Sequence, residues 1–174
     1  MKGCYSCFPD EVHGTVRYRQ PKANAGRKKV QQAILSALFN LNQQNFTLPN
    51  IVTSSRGDCM VQFEIGVADD TVFSFLDRDE VKQLQVQIRK QLFDCLDFFC
   101  AVKYYLVSRK KPTPLKFDYF MFRFVFTKKL MTLSLFHERG PRRVSTEELI
   151  MFLTERINME MEGNRLQMQE RAVV

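Results

Sequence analysis

The sequence predicts an α+β fold, in which a five-stranded antiparallel sheet carries helices in the order α-ββ-α-βββ-α. Apolar residues recur at three- and four-residue steps in three segments, which is the period of an amphipathic helix. In five other segments they alternate with polar residues or form short runs rich in aromatic and β-branched residues, as strands do. These strands come in runs instead of alternating singly with helices, so an antiparallel sheet is expected.

The first helix and the first hairpin follow from the pattern of residues 26–76. From Gly26, apolar residues from Val30 to Leu41 predict a helix of roughly 16–18 residues. Pro49 disfavours helical geometry in the residue before it and predicts that the helix has ended. The alternation from Cys59 to Val67 predicts a strand. Asp69-Asp70 predicts the turn, and "TVFSFL" predicts the second arm of a hairpin.

The second half of the chain predicts a helix, three strands and a last helix. Asp77 or Asp79 is the expected N-cap of a long helix whose apolar residues run from Val81 to Phe99. Three strands are then predicted, "CAVKYYLVS", the Phe-rich residues 117–126 and "LMTLSLFHE", with a tight turn at Lys128-Lys129 between the last two. Ser145 and Glu148 predict a capping box at the start of the last helix.

The predicted domain organisation is one α+β domain over residues 25–162. Residues 1–24 are polar and aperiodic and predict a basic N-terminal tail or irregular lead-in, and residues 163–174 are expected to fray. The element order resembles the profilin-like layout shared by longin and roadblock domains. That resemblance is one of topology, and it implies an adaptor or scaffold module.

Composition favours a protein that works inside the cell. The chain has 174 residues, of which 45% are hydrophobic and 26% charged, close to the average of globular domains. No apolar run approaches the ~18–20 residues of a membrane span. The start, "MKGCYSCFPDEVHG", lacks the apolar core of a secretory signal. The five cysteines are therefore expected to be reduced thiols in a cytoplasmic or nuclear protein.

The Phe-rich strand is apolar on both of its faces. Its even positions form a row of four phenylalanines from Phe120 to Phe126, which we expect in the core. Its odd positions carry Phe117, Tyr119 and Met121, the predicted partner surface. An apolar face that no helix covers needs another cover. That cover is either internal, from the third helix or the N-terminal tail, or a partner protein.

Arg123 stands among these odd positions in the middle of the strand. An unpaired buried charge costs several kcal/mol. We therefore expect its guanidinium to reach solvent, a carboxylate from elsewhere in the fold, or the anionic group of a ligand.

A metal site is only weakly indicated. Cys4, Cys7 and His13 are soft ligands at C-x2-C-x5-H spacing, and a structural zinc site would need a fourth, such as His137 or Cys59. The alternative is a flexible tail with two thiols. We expect no bound metal and no cofactor.

Catalysis is the least favoured function. His137 is followed by Glu138 and lies near Arg139, Arg142 and Arg143, so it could polarise or bind an anion. A general base also needs a nucleophile or substrate within hydrogen-bond reach, and the sequence indicates none. Phosphate-binding, nucleophile-elbow and zinc-protease motifs are missing from the sequence.

Basic segments are the strongest functional signal. The net charge is +7, and cations concentrate near the N-terminus and between residues 101 and 143. Lysine and arginine in loops suit phosphate contacts, and Tyr18 could stack on an unpaired base. Simple solvated charge is the alternative. The candidate nucleic-acid or anion-binding residues are Arg17, Arg19, Lys28, Lys29, Arg109, Lys110, Lys111, Arg123, Arg142 and Arg143.

The sequence therefore predicts a non-enzymatic interaction module that acts within a protein assembly. A protein partner or self-association would use the sheet, and the basic surface would engage nucleic acid or an acidic protein. The alternative is a direct nucleic-acid-binding protein without a known motif, and an enzyme that uses His137 is the third hypothesis.

Overall fold

The computed structural model describes residues 1–52, 59–108 and 110–174. The predicted α+β class is confirmed, because three α-helices pack on an open antiparallel sheet. The helices are α1 (Asn24–Asn42), α2 (Arg78–Lys90) and α3 (Thr146–Glu160). Within the described ranges the sheet has nine strands: β1 (Gly14–Arg19), β2 (Asn45–Thr47), β3 (Cys59–Asp69), β4 (Val72–Phe75), β5 (Cys95–Leu106), β6 (Thr113–Pro114), β7 (Asp118–Phe126), β8 (Leu130–Arg139) and β9 (Gln167–Val173).

The sheet is larger than the five strands predicted, so that part of the prediction is wrong. The strand order is β2-β3-β5-β7-β8-β1-β9, with β4 paired to β3 and β6 paired to β5. The five predicted strands correspond to β3, β4, β5, β7 and β8. The four added strands, β1, β2, β6 and β9, are short or polar. They form because their main-chain groups hydrogen-bond to a neighbouring strand, and they have no strong apolar pattern of their own.

Strands β1 and β9 lie in the segments predicted to be an irregular lead-in and a frayed tail. Strand β1 pairs antiparallel with both β8 and β9. Val16 and Tyr18 are fully buried while Arg17 and Arg19 are exposed, so β1 has the alternation of a strand over too few residues to stand out. All seven residues of β9 are exposed, so its sequence has no alternation of buried apolar residues from which a strand could be predicted.

Helix α2 ends at Lys90, and the prediction that it continues to Phe99 is wrong. Residues from Cys95 onward belong to β5, where Leu96 and Phe98 are fully buried. Cys95 and Phe99 of β5 happen to continue the three- and four-residue spacing of the apolar residues of α2. The spacing alone therefore did not mark the end of the helix. The side chain of Gln31 fixes the intervening turn, because it bonds the main-chain N–H and C=O of Phe93 at 3.1 and 2.8 Å.

The predicted caps and turns are confirmed. Asp77 accepts a hydrogen bond from the Glu80 main-chain N–H at 2.8 Å, and Ser145 and Glu148 form a capping box. Asp70 adopts a φ of 59° between β3 and β4. The tight turn at Lys128-Lys129 joins β7 to β8.

All three helices lie on one face of the sheet. The buried residues of the helices share a single core with strand residues of one parity, which include Phe120, Phe122 and Phe124 at zero exposure. The predicted core row is therefore confirmed. No helix among the described residues has the length and apolarity needed to cross a lipid bilayer.

Candidate functional site: the helix-free face of the sheet

The opposite face of the sheet carries a group of half-buried aromatic residues. Register places Phe99, Met121 and Phe136 side by side on β5, β7 and β8, and Tyr119 beside Arg139. These positions alternate with the core row, so they point away from the helices. We call this surface the aromatic face; its members, each of intermediate exposure, are Phe73, Phe99, Tyr105, Phe117, Tyr119, Met121 and Phe136.

The rings of the aromatic face contact one another without forming closed stacks. Phe73 lies 5.6 Å from Phe99, and Phe99 lies 6.0 Å from Tyr119, at interplanar angles of 45° and 33°. Tyr105 and Phe117 form a similar tilted pair at 5.8 Å. Each ring is thus held by neighbours on a rigid sheet while part of it reaches solvent.

Cations lie over two of these rings. The Arg139 guanidinium is 4.4 Å from the Tyr119 ring centre, and the Lys103 ammonium is 6.0 Å from that of Phe117. Lys103 also pairs with Glu64, and Arg139 pairs with Glu138 at 3.3 Å. Such cation–π contacts are attractive because the face of an aromatic ring is electron-rich.

The N-terminal segment crosses the same face of the sheet beside this aromatic group. Gly3 donates to the Ala68 carbonyl at 2.8 Å, and the Tyr5 ring lies 4.7 Å from Phe73. Phe8 is buried, and its ring lies 4.2 Å from the Arg123 guanidinium. His13 stacks on Phe136 at 4.8 Å. Of the covers considered from sequence, the N-terminal segment is therefore present, but it leaves Phe117, Tyr119 and Met121 half-exposed.

Arg123 binds a carboxylate of the fold. Its Nε and one terminal nitrogen donate to the two oxygens of Asp97 at 2.8 and 2.7 Å, and the same terminal nitrogen donates to the Tyr5 carbonyl at 3.1 Å. Asp97 has no exposed side-chain surface and lies directly across from Arg123 on β5. This guanidinium therefore anchors the N-terminal segment to the sheet instead of standing free for an external anion.

A second buried carboxylate, Asp118, organises the basic end of the sheet. It accepts from the main-chain N–H groups of Arg142 and Arg143 at 2.6 and 2.8 Å, and from the Tyr104 hydroxyl at 2.6 Å. Its other partner is His137 Nε2 at 2.9 Å. Burial, and then the hydrogen bond from the Tyr104 hydroxyl to Asp118, raise the pKa of Tyr104. The hydroxyl therefore keeps its proton and acts as the donor.

Asp118 fixes the shape of the 139–143 loop, so the loop presents its cationic side chains in one arrangement. Gly140 has a φ of +119°, and a Cβ there would lie 2.4 Å from the Phe117 carbonyl oxygen. Arg142 also has a positive φ, 56°. Arg139, Arg142 and Arg143 are exposed at this end of the sheet, where Arg142 Nε bonds His137 and the Arg143 guanidinium lies 5.7 Å from the Tyr104 ring centre.

The connection between β5 and β7 brings more lysines to this end. Pro114 pairs with Tyr105, so the connection folds back along the end of β5. Lys110, Lys111 and Lys116 are exposed there. Arg109 lies outside the described residues. The structure thus brings together two of the three basic segments singled out from sequence, next to the aromatic face.

The remaining basic candidates lie elsewhere. Arg17 pairs with Glu170 of β9 at 2.8 Å, and Arg19 is exposed opposite Leu130 at the far end of β8. Lys28 and Lys29 belong to α1 on the helix side of the sheet. The expectation that Tyr18 is an exposed stacking residue is wrong, because it is fully buried and bonded to Thr154.

Both ring nitrogens of His137 are engaged in the fold. Arg142 Nε donates to Nδ1 at 3.3 Å, and in this arrangement Nε2 carries the hydrogen that bonds Asp118 at 2.9 Å. Only 7% of this residue is exposed. The imidazole therefore has no free lone pair with which to abstract a proton in this arrangement.

The candidate zinc ligands Cys4, Cys7 and His13 make other contacts in the fold. The Cys4 thiol donates to the Cys95 carbonyl at 3.5 Å, and His13 Nδ1 accepts from the His137 main-chain N–H at 2.8 Å. Over residues 1–52, 59–108 and 110–174, no three His, Cys, Asp or Glu side chains are grouped to hold a metal ion.

Sequence reasoning missed the two organising carboxylates and part of the aromatic face. Asp97 was placed in a helix, which concealed its register with Arg123. Asp118 lies at an even position of β7, in line with the phenylalanine row, and that inward parity was the signal that could have marked it as buried and in need of several donors.

No family model, no curated protein and no solved structure is detectably similar to this chain.

Proposed function

We propose that this protein is a non-enzymatic interaction module that binds a partner through the aromatic face. The observation that carries the proposal is a group of partly exposed aromatic side chains on a sheet face without helices. Exposed contiguous apolar surface of this kind marks interaction sites in soluble proteins, and aromatic and arginine residues supply most of the binding energy at such sites.

The position of the basic loops supports an acidic partner. Lys110, Lys111, Arg142 and Arg143 are exposed at the end of the sheet where Phe117 begins the aromatic face. Loop cations attract an anionic partner over distance and orient it, while the rings provide contact area. The partner is therefore expected to lie along β7, with its acidic part over these loops.

A non-catalytic role agrees with the engagement of His137 in the Asp118 network. The resemblance in element order to longin and roadblock domains remains an analogy of layout, and the proposal does not depend on it. Direct binding of nucleic acid is the second candidate, and the combination of partly exposed rings and cations favours it.

The first test separates the aromatic face from the core. Tyr119→Ser with Met121→Ser should leave the circular dichroism spectrum and unfolding midpoint close to those of the unmodified protein. The same pair should abolish self-association or partner binding, measured by light scattering and pull-down. Phe122→Ala, in the adjacent core row, should instead cost about 3–5 kcal/mol of stability. If the face pair unfolds the protein as Phe122→Ala does, the aromatic face is internal core and the proposal fails.

A photo-crosslinker identifies the contact directly. Placed at position 119, it should give discrete adducts in the native cells, whereas the same group at Met151, exposed on α3, serves as the matched control. Equal adducts at both positions, or none at 119, would contradict binding through this face.

A further inference from the structure

We propose that the partner of the aromatic face is a single-stranded nucleic acid, whose bases stack on Phe117, Tyr119 and neighbouring rings while its phosphates contact the basic loops. This inference rests on the proposed function and names the chemical class of the partner.

The arrangement of the rings favours flat, aromatic partners. The rings form two pairs between β5 and residues 117–119, Tyr105 with Phe117 at 5.8 Å and Phe99 with Tyr119 at 6.0 Å. The rings are tilted against each other, so none of them closes its whole face against a neighbour. Unpaired bases stack on such side chains regardless of sequence, and antiparallel sheets are known platforms for this contact.

The cations at this end suit phosphate more than carboxylate side chains of a protein. Arg139 lies over the Tyr119 ring, so a base at this position would stack on the guanidinium plane or take its place on the ring, and its phosphate would lie close to that cation. Lys110, Lys111 and Lys116 are exposed along the connection that pairs with Tyr105. A stretch of lysines on one side of a row of rings matches the alternation of bases and phosphates along a single strand.

Four acidic side chains near the face are engaged by partners within the fold, and one of them is Glu138, which pairs with Arg139. Asp97 is paired with Arg123, and Glu64 with Lys103. Asp118 is buried beneath the 139–143 loop, where main-chain donors satisfy it. The surface presented to a ligand is therefore positive at its basic end and uncharged along the rings, which complements a polyanion with apolar bases.

A double-stranded nucleic acid could not stack its bases on the rings of the aromatic face. The bases of double-stranded nucleic acid are stacked and paired inside the helix, so only phosphates would reach the protein. Preference for single strands over duplex is thus the distinguishing property of this inference.

The experiment measures fluorescence anisotropy of labelled oligo-dT and oligo-U of about 12 nucleotides, within the usual range of single-strand site sizes. Both should bind at low salt, more tightly than a duplex of equal length. Comparison of oligo-dT with oligo-U tells DNA from RNA preference. A variant with Phe117→Leu and Tyr119→Leu should bind roughly tenfold more weakly or worse, because leucine keeps the apolar volume but cannot stack. Phe39→Leu on α1 is the aromatic control and should bind normally.

A charge series locates the phosphates. Lys110→Gln, Lys111→Gln and Lys116→Gln together should flatten the slope of log affinity against log salt by about 2, since each phosphate contact on a single strand contributes about 0.7. The control variant removes the same charge at Lys22, Lys28 and Lys29. Equal loss in both charge variants, a loss confined to the control set, or equal binding of duplex would overturn the inference.

A parallel titration with polyglutamate separates this inference from the proposed function. Binding of polyglutamate that depends on Tyr119, without binding of oligonucleotides, would overturn the nucleic-acid inference and leave an acidic protein as partner. If neither polyglutamate nor oligonucleotides bind, and the crosslinker at position 119 gives no adducts, the nucleic-acid inference and the proposed function are both overturned.

Discussion

At the scale of single residues, two buried carboxylates determine how the nearby arginines are held. Asp97 and Asp118 both have no exposed side-chain surface, and both lie at strand positions where an apolar residue would be usual. Each is satisfied by several donors, as a buried charge must be. Asp97 occupies Arg123, whereas Asp118 is satisfied mainly by main-chain N–H groups and so leaves the side chains of Arg142 and Arg143 at the surface.

Asp118→Asn should destabilise the protein by about 1–3 kcal/mol or more, because an amide offers one acceptor oxygen to four donors and turns an N–H₂ toward one of them. Urea unfolding followed by circular dichroism measures the loss. Tyr104→Phe removes only one of the four donors and should cost about 1 kcal/mol. Equal stability of Asp118→Asn and the unmodified protein would contradict the role of this carboxylate.

His13 should make stability depend on pH. Burial, then the electrostatic influence of Arg142 and of His137, lower the pKa of His13 below its ordinary value of 6.5. The folded state therefore binds this proton less tightly than the unfolded chain does, so stability is complete above pH 6.5 and is lost as the pH falls through the lower folded pKa. His13→Gln keeps an acceptor for the His137 N–H and should remove this component from the pH profile of the unfolding midpoint. An unchanged profile would exclude His13 as its source.

At the scale of elements, the N-terminal segment is a structural strap and not a tail. Residues 2–8 contact β3, β5 and β7 through main-chain bonds and through the Arg123 cluster, although they contain no regular helix or long strand. The strap covers one part of the helix-free face and ends at the aromatic face, so its position sets the limit of the surface that a partner can contact.

Arg123→Gln should release this segment. The substitution leaves the Asp97 carboxylate buried with fewer donors, which costs about 3–5 kcal/mol when one partner of a buried pair is removed. Limited proteolysis should then cleave within the first residues, while Arg17→Gln, which breaks an exposed ion pair, should leave the cleavage pattern unchanged. Resistance of Arg123→Gln to cleavage would show that the strap is held by other contacts.

At the scale of the whole molecule, the sheet separates a core side from a helix-free side. The helices and the phenylalanine row form one hydrophobic cluster, so the fold gains its stability on that side. The other side is left with rings, a strap and two basic loops at one end. Strand β9 contributes little to this division, because all seven of its residues are exposed.

Truncation after Leu166 should therefore preserve the fold. The deletion removes main-chain bonds to β1 but no buried side chain, since Leu166 itself stays in place. We expect a shift of the thermal midpoint by only a few degrees and unchanged oligonucleotide binding. Loss of cooperative unfolding would mean that β1 depends on β9 to remain in the sheet.

The sequence by itself determined the elements that have a strong period or a capping motif. The order of three helices and five central strands, the inward row from Phe120 to Phe126, the Asp77 cap and the Ser145–Glu148 box all depend on neighbours along the chain, which sequence patterns record. Phe117, Tyr119 and Met121 were placed on the face opposite the phenylalanine row, and their role as a surface for a protein partner or for self-association stays a prediction.

Only the tertiary structure decided which distant groups meet. Strand β1 forms by pairing with the main-chain groups at the edge of β8, and β9 forms by pairing with β1. The local residue pattern does not record that such a neighbouring edge is available. The pairing of Arg123 with Asp97 depends on the register of β5 against β7, which a misplaced helix end had concealed. The convergence of two basic loops at Phe117 depends on the Asp118 network, whose members come from four separate parts of the chain. Such contacts are set by long-range register and burial, and so they lie beyond what local periodicity can predict.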